Sequence, residues 1–287
     1  MTSETPRRTG EAGAPVAVVT GAGRARGIGR AIARRLAAGG CAVVVHERSA
    51  DPSHRTAEEA ASGWKGAASV VDEIVAGGGE AVAVAGDIIE TGTAVALRDA
   101  AAGLGALAVL VNNHGSAGEA NSFMAHETPA DVWEQTMLVN VTSLYQVCSV
   151  MVPALAESAA PQRSIVHLSS TAGHRALGRY GAYCASKAAV ERLTEQQAIE
   201  LARYGIRVNA VAPGPTPTDM IDGTFARAAA TAHTDVDTIV AAATKKIPLR
   251  RFATTDDIAG AVAFLAGPDA GFVTGQILTV DGGMTLA

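Results

Sequence analysis

From Val16 onward, short runs rich in β-branched residues alternate with alanine-rich amphipathic stretches. This alternation restricts the chain to repeated βαβ units, in which parallel strands make a sheet covered by helices on both faces. The strand signal falls at residues 16–20, 42–46, 81–85, 108–112, 164–168, 207–212 and 277–280, enough for one open sheet of seven strands. A helix expected over 28–38 sets Ile28, Ile32 and Leu36 on one stripe and ends at Gly39-Gly40, where glycine can adopt a left-handed cap. Another starts after Thr128-Pro129 and carries Val132, Met137, Leu138, Val141 and Leu144, with the polar Asn140 among them. Two segments exceed the few residues that usually join a strand to a helix. One, about 49–66 and including Trp64, reads as a surface insertion; the other, about 215–246, mixes prolines, threonines and alanines and reads as a mobile lid.

With 287 residues and 48% hydrophobic content, the chain can bury a substantial core. The even spread of apolar segments argues for a single domain over 15–287, after a polar leader at 1–14 that is expected to be disordered. The net charge is −5 and no basic run is long enough to track a phosphate backbone, so nucleic acid is not the expected partner. Cys41, Cys148 and Cys184 form no C-x-x-C pair and fit a reducing compartment. An export signal after Arg7-Arg8 would need about 7 to 15 apolar residues, yet the run from Val16 is broken at Gly21 and Gly23. No apolar run approaches the length of about 20 residues that spans a bilayer. A cytoplasmic protein away from the membrane is expected. The seven histidines include no i, i+4 pair of the kind that binds zinc on a helix, so no catalytic metal is expected.

The first strand runs directly into Gly21-Ala22-Gly23-Arg24-Ala25-Arg26-Gly27-Ile28-Gly29, and a helix follows. Strand, glycine turn and helix is the context of a dinucleotide site: glycines let the backbone approach a pyrophosphate, and the helix N-terminus offers unpaired N–H groups and the positive end of its dipole. Gly21, Gly27, Ile28 and Gly29 are the candidates. Glu47 closes the second strand twenty residues beyond Gly27, where an acid can hold a ribose diol. At about 4 Å and an effective dielectric near 20, its carboxylate would repel a 2′-phosphate by about 4 kcal/mol, which favours NAD over NADP. Against this stand Arg48, Arg24 and Arg26, any of which could bind that phosphate.

Tyr183 and Lys187 stand four residues apart on a predicted helix, on one face. At roughly 5 Å the ammonium would favour the phenolate by about 3 kcal/mol, drawing a pKa of about 10 toward neutrality. Ser170 lies thirteen residues earlier, after Ile165-Val166-His167-Leu168. Each residue also has an ordinary reading: Ser170 as the cap of the next turn, and Asn140 as a partner for a nearby backbone carbonyl.

Taken together, Asn140, Ser170, Tyr183, Lys187 and the glycine turn resemble the short-chain dehydrogenase/reductase family, and the resemblance runs from Val16 to the C-terminus. It implies a single-domain doubly wound (Rossmann) α/β fold and an NAD(P)-dependent oxidoreductase that interconverts a secondary alcohol and a ketone by hydride transfer. In that scheme Ser170 hydrogen-bonds the substrate oxygen and Tyr183 moves its proton. Lys187 lowers the Tyr183 pKa and binds the nicotinamide ribose, and Asn140 holds a water that leads to solvent. Asp87 with Ile88 resembles the adenine contact, and Asn112-Asn113-His114-Gly115 resembles the segment beside the adenosine ribose, Asn113 and Gly115 being its cofactor candidates. His114 stands there in place of a small residue and is expected to crowd the site. Pro213 and Gly214 resemble the segment against the nicotinamide, with Thr218 or Thr216 as a hydroxyl contact. The family's turn has three residues between its first two glycines; here five intervene, so either the loop bulges or Gly23 takes the role of Gly21. The ending, Val273-Thr274-Gly275-Gln276 through Gly283, implies a homotetramer. The rivals are nicotinamide-dependent reduction of another bond, such as C=C, and a dinucleotide-binding sensor without turnover.

Overall fold

The computed structural model describes residues 14–117 and 123–287, so the expected leader lies, but for Ala14, outside the described residues. Seven strands form one sheet: β1 (Val16–Val19), β2 (Ala42–Glu47), β3 (Ala81–Ala85), β4 (Leu107–Asn112), β5 (Arg163–Leu168), β6 (Ile206–Pro213) and β7 (Ile277–Val280). Their order is β3-β2-β1-β4-β5-β6-β7, and all neighbours are parallel. The helices are α1 (Ile28–Ala38), α2 (Ala57–Ala61), α3 (Ala67–Ala76), α4 (Thr91–Leu104), α5 (Ala130–Met137), α6 (Ser143–Glu157), α7 (Gly181–Leu201), α8 (Asp219–Ala232), α9 (Val236–Lys245) and α10 (Thr255–Ala266).

Successive strand residues point to opposite faces, and the core divides accordingly. Ala17, Val19, Val43, Val45 and Val111 pack with Ile32 and Leu36 of α1, Val70 of α3 and Ile258, Val262 and Leu265 of α10. Val16, Val18, Val44, Leu110 and Ile165 pack with Leu97 of α4, Val147 and Met151 of α6 and Val190 of α7. Central strands covered on both sides need unbroken apolar runs, which is why β1 reads Val-Ala-Val-Val with every residue buried. The strand order reverses beside β1, which has β2 on one side and β4 on the other. A crevice opens there at the strands' carboxyl ends, and the loops after β1, β2, β4, β5 and β6 all reach it.

As the Gly39-Gly40 pair implied, α1 ends at a left-handed glycine, Gly40 (φ +92°), with Gly39 at φ −83°. Elsewhere the structure adds detail to the sequence reading. The helix through Asn140 is not regular: α5 and α6 are joined by a π-helical turn over Leu138–Thr142. With that turn, the span Ala130–Glu157 is by length and composition apolar enough to cross a membrane, although Leu144, Val147, Met151 and Leu155 are spent on the core. The segment 215–246 folds largely into α8 and α9, and 49–66 holds a 3-10 turn (Pro52–His54) and α2.

Candidate active site

The glycine turn keeps Gly21 in its expected role and takes up the extra residues as a bulge. Gly21 sits at φ +64°, and a Cβ there would lie 2.8 Å from the His114 Cα. At Gly29 a Cβ would fall 2.5 Å from Asn113 Nδ2 and 2.7 Å from the Gly21 carbonyl oxygen, so only glycine lets α1 approach β1 this closely. Gly27 is the N-cap of α1, with Ile28 the first helical residue; no side chain caps that end, and no acid stands in its first turn. The N–H groups and dipole are therefore left for an anion, which fits a pyrophosphate.

The bulge is held by the insertion, which lies at the surface as expected but turns Glu59 inward against the turn. Glu59, 2% exposed, accepts from Ala25 N (2.9 Å), Thr56 N (3.0 Å) and Arg24 Nη1 (2.8 Å). Burial alone would raise the Glu59 pKa; the hydrogen bonds from Ala25, Thr56 and Arg24 outweigh it and hold the carboxyl below its usual range. Trp64 Nε1 donates to the Gly23 carbonyl at 2.7 Å, and the Arg30 guanidinium lies 5.1 Å from a Trp64 ring centroid. Arg26 pairs with Asp222 of α8 at 2.7 Å, tying the turn to the segment beyond β6. Arg24 and Arg26, which the sequence offered as phosphate ligands, are thus committed to carboxylates. Arg48 is exposed. Glu47 is buried and accepts from Arg55 Nη1 of the insertion at 2.5 Å.

Asn113 reaches the crevice but spends its amide on the turn, donating from Nδ2 to the Thr20 and Gly21 carbonyls, both at 2.9 Å. His114 does not crowd the crevice. Its ring is buried, with Nδ1 2.7 Å from Thr20 Oγ1 and Nε2 2.9 Å from Ser143 Oγ, so it braces the end of β1 against the start of α6. Asp87 Oδ1 accepts from Ile89 N, a local turn contact, and Ile88 is buried. Beyond β6, a Cβ on Gly214 would lie 2.8 Å from the Asp281 Cα, which fixes Pro213 and Gly214 against the chain end. Thr216 is buried and donates to the Gly214 carbonyl, whereas Thr218 is the N-cap of α8 with its side chain uncommitted to the cap.

The four catalytic candidates converge. Ser170 caps a short 3-10 turn by accepting from Ala172 N, and its side chain acts on the Tyr183 phenol, holding the phenol's pKa below where burial alone would put it. The Lys187 Nζ lies 5.8 Å from the Tyr183 ring centroid and donates to the Leu168 carbonyl at 2.8 Å. Asn140 accepts from Ser116 N (2.8 Å) and donates to the Ser116 carbonyl and Ser186 Oγ (both 2.9 Å). A Cβ on Gly115 would be 3.3 Å from both Asn140 Oδ1 and Lys187 Nζ, so this glycine keeps the space between them open. For Ser170 and Asn140, then, the ordinary reading holds together with the convergence. The charge argument from spacing is corrected: burial pushes the Tyr183 pKa up, the Ser170 hydrogen bond only partly opposing it. The same burial pushes Lys187 down to about 8, against the pull of Glu191. Burial is the largest effect on each of the two groups, and spacing along a helix does not report it.

Residues 21–285 match the family profile described as Enoyl-(Acyl carrier protein) reductase. Cis-4-hydroxycyclohexanecarboxylate dehydrogenase of Sinomonas cyclohexanicum is 38% identical over 272 residues, 94% of this chain and 96% of that one. 3beta-hydroxysteroid dehydrogenase 1 of Eggerthella lenta is 34% identical over 270 residues, 94% of this chain and 93% of that one. The chain is a short-chain dehydrogenase/reductase. Among solved structures, an actinorhodin polyketide ketoreductase variant with NADPH superposes with TM-score 0.81 at 30% identity, covering 94% of this chain and 97% of that one. The activity of this short-chain dehydrogenase/reductase is accordingly NAD(P)-dependent interconversion of an alcohol and a ketone.

Sequence reasoning missed Arg55, Glu59 and Trp64 around the turn, and also Glu191. The last accepts from Ser169 Oγ (2.9 Å) and lies 3.0 Å from His174 Nδ1, pinning the loop after Ser170. One signal was available: Thr56-Ala57-Glu58-Glu59 is a capping box, which marks a real helix start inside the insertion. Nothing local announces that Glu59 faces the turn.

Proposed function

We propose that Tyr183 is the acid/base of alcohol–ketone interconversion, that Ser170 orients the substrate oxygen and that Lys187 and Asn140 serve the proton path. The observation that carries this is the meeting of Ser170, Tyr183 and Lys187 at the carboxyl end of β5, where the Lys187 ammonium lies beneath the Tyr183 ring and donates to the Leu168 carbonyl, with the glycine turn across the crevice. When bound, the nicotinamide supplies or accepts the hydride. The chain's residues do the rest. A phenol with a raised pKa keeps its proton and can donate it to a carbonyl oxygen; in alcohol oxidation that proton must leave again. The Lys187 ammonium, near 8, can first release its own proton toward Asn140 across the gap kept open by Gly115, and the amine so formed can take the one from Tyr183. Both Asn140 side-chain donors are engaged, so a relay water would be held by an Asn140 oxygen.

The same reading places a dinucleotide on Gly21, Gly27, Ile28 and Gly29, its adenosine near Glu47, Asp87 and Asn113, and its nicotinamide end by Pro213, Gly214 and Thr218. NAD is the proposed cofactor, because Arg24 and Arg26 are already paired and the Glu47 carboxylate opposes a 2′-phosphate. A ring-borne secondary alcohol is the substrate class to try first, since the two relatives named above are dehydrogenases of a hydroxycyclohexanecarboxylate and a hydroxysteroid. A cytoplasmic homotetramer is proposed by family resemblance. Exposed Tyr145, Phe272 and Leu286 supply apolar surface for its contacts.

The test follows nicotinamide absorbance with cyclic alcohols, ketones and enones. Turnover on the alcohol–ketone pair should fall roughly 10²- to 10⁴-fold in Tyr183→Phe, with dinucleotide binding retained. Unchanged turnover would remove Tyr183 from the reaction. Reduction of enones to saturated ketones, with no attack on the carbonyl, would favour the C=C reading that the family profile's description keeps in view.

A further inference from the structure

We propose that His114 is a positioning residue for the proton path, its ring tying the dinucleotide turn to the π-helical turn that carries Asn140; this rests on the reading that Lys187 and Asn140 serve that path. The loop after β4 makes three attachments in succession. Asn113 donates to the Thr20 and Gly21 carbonyls of the dinucleotide turn. The His114 ring bridges Thr20 Oγ1, 2.7 Å from Nδ1, and Ser143 Oγ, 2.9 Å from Nε2. Ser116 grips the Asn140 side chain, its backbone N donating to Oδ1 at 2.8 Å and its carbonyl accepting from Nδ2 at 2.9 Å. Between the last two, Gly115 keeps open the space that faces Asn140 Oδ1 and Lys187 Nζ. The small residue expected in place of His114 could make neither of the ring's two bonds.

A π turn is a rare departure from the α-helix and persists where its surroundings hold it. Here Ser143 N donates to the Leu138 carbonyl, five residues back, while the Val139 carbonyl, its partner in a regular α-helix, takes the Ser143 hydroxyl at 2.7 Å. With its one proton committed to Val139, that hydroxyl accepts from His114 Nε2. Hydrogen bonds therefore run in one direction from Thr20 through the ring to Ser143 and Val139. A neutral histidine suits this place because it accepts at one ring nitrogen and donates at the other. His114 and Ser143 are buried, so a bond lost there leaves its partner unpaired. Without the ring, the turn is free to relax toward a regular α-helix, with Ser143 N on Val139, which changes the direction in which Asn140 points. Thr20 keeps other partners, since Oγ1 also accepts from Asn113 N at 3.0 Å and lies 3.2 Å from the Val111 carbonyl. The dinucleotide turn therefore loses less than the π turn does.

The experiment compares the full-length wild type with His114→Leu, His114→Gln, Ser143→Ala and Asn140→Ala in the oxidation of cyclohexanol with NAD. It reads kcat, the NAD dissociation constant and the solvent deuterium isotope effect on kcat, with circular dichroism checking the fold at the assay temperature. His114→Leu should lower kcat roughly tenfold, the order of one lost buried hydrogen bond, and enlarge the solvent isotope effect. NAD affinity should stay within roughly threefold of wild type, far less than a lost phosphate contact would cost. Glutamine, which offers an acceptor and a donor on one planar group, should restore most of kcat. Ser143→Ala cuts the same tie by removing one atom, and it should reproduce the lower kcat and the larger isotope effect even if the leucine variant does not fold. A general loosening of the fold would lower the active fraction and leave the isotope effect where it was. An isotope effect unchanged in both His114→Leu and Ser143→Ala overturns the role of His114; if Asn140→Ala still enlarges it, the proton-path reading stands. If Asn140→Ala also matches wild type, that reading falls and the role of His114 with it.

Discussion

His114 makes the stability of this enzyme depend on acid in a calculable way. Burial, reinforced by the nearby His46, Lys187 and His167, holds its pKa at about 3 instead of the ordinary 6.5. Its hydrogen bonds explain why the neutral ring is required. Ser143 Oγ donates to the Val139 carbonyl at 2.7 Å and so accepts from His114 Nε2, which leaves Nδ1 to accept from Thr20 Oγ1. Near neutrality the ring carries no extra proton in either the folded or the unfolded chain, and the brace is at full strength. As pH falls below 6.5 the unfolded chain gains a proton that the folded one refuses until about pH 3, so stability is lost across that window. At pH 5 the difference is worth about 2 kcal/mol. His167, held at about 4 by burial and bonded to Gln197, adds about 2 kcal/mol more. Together these are a large part of a total stability of about 5–15 kcal/mol. Urea unfolding followed by tryptophan emission at fixed protein concentration, at pH 7 and pH 5, should show this loss in wild type and about half of it in His114→Gln. An identical pH dependence in the two proteins would refute the argument.

Other consequences are more local. Because burial raises the Tyr183 pKa, alcohol oxidation should keep accelerating with pH well above neutrality while ketone reduction does not; initial rates in both directions across the pH range check this, and an oxidation rate that levels off below neutrality would contradict it. Gly29→Ala should abolish dinucleotide binding and lower the melting temperature, since its methyl would fall 2.5 Å from Asn113 Nδ2 and 2.7 Å from the Gly21 carbonyl. Glu59→Ala should cost about 2 kcal/mol, the order of a lost charge-assisted hydrogen bond, and weaken dinucleotide binding by freeing the bulge at Ala25. An unchanged dissociation constant would mean the insertion does not hold the turn.

The sequence by itself determined the sheet, the glycine turn and the four converging side chains. These are written in local terms: an unbroken apolar run in Val-Ala-Val-Val, a glycine where φ must be positive, and a Tyr and Lys four residues apart on one helix. Tertiary structure alone decided what lies across from them. It made the 49–66 insertion a clamp on the turn, gave Arg24, Arg26 and Glu47 their partners, turned His114 inward and set a π turn at Asn140. It also reversed the expected direction of the Tyr183 pKa, because spacing along a helix gives the separation of two charges but not how much water either has lost. Residues far apart in the chain, such as Arg26 and Asp222, meet only when the sheet brings its loops to one edge, and no local pattern encodes that meeting.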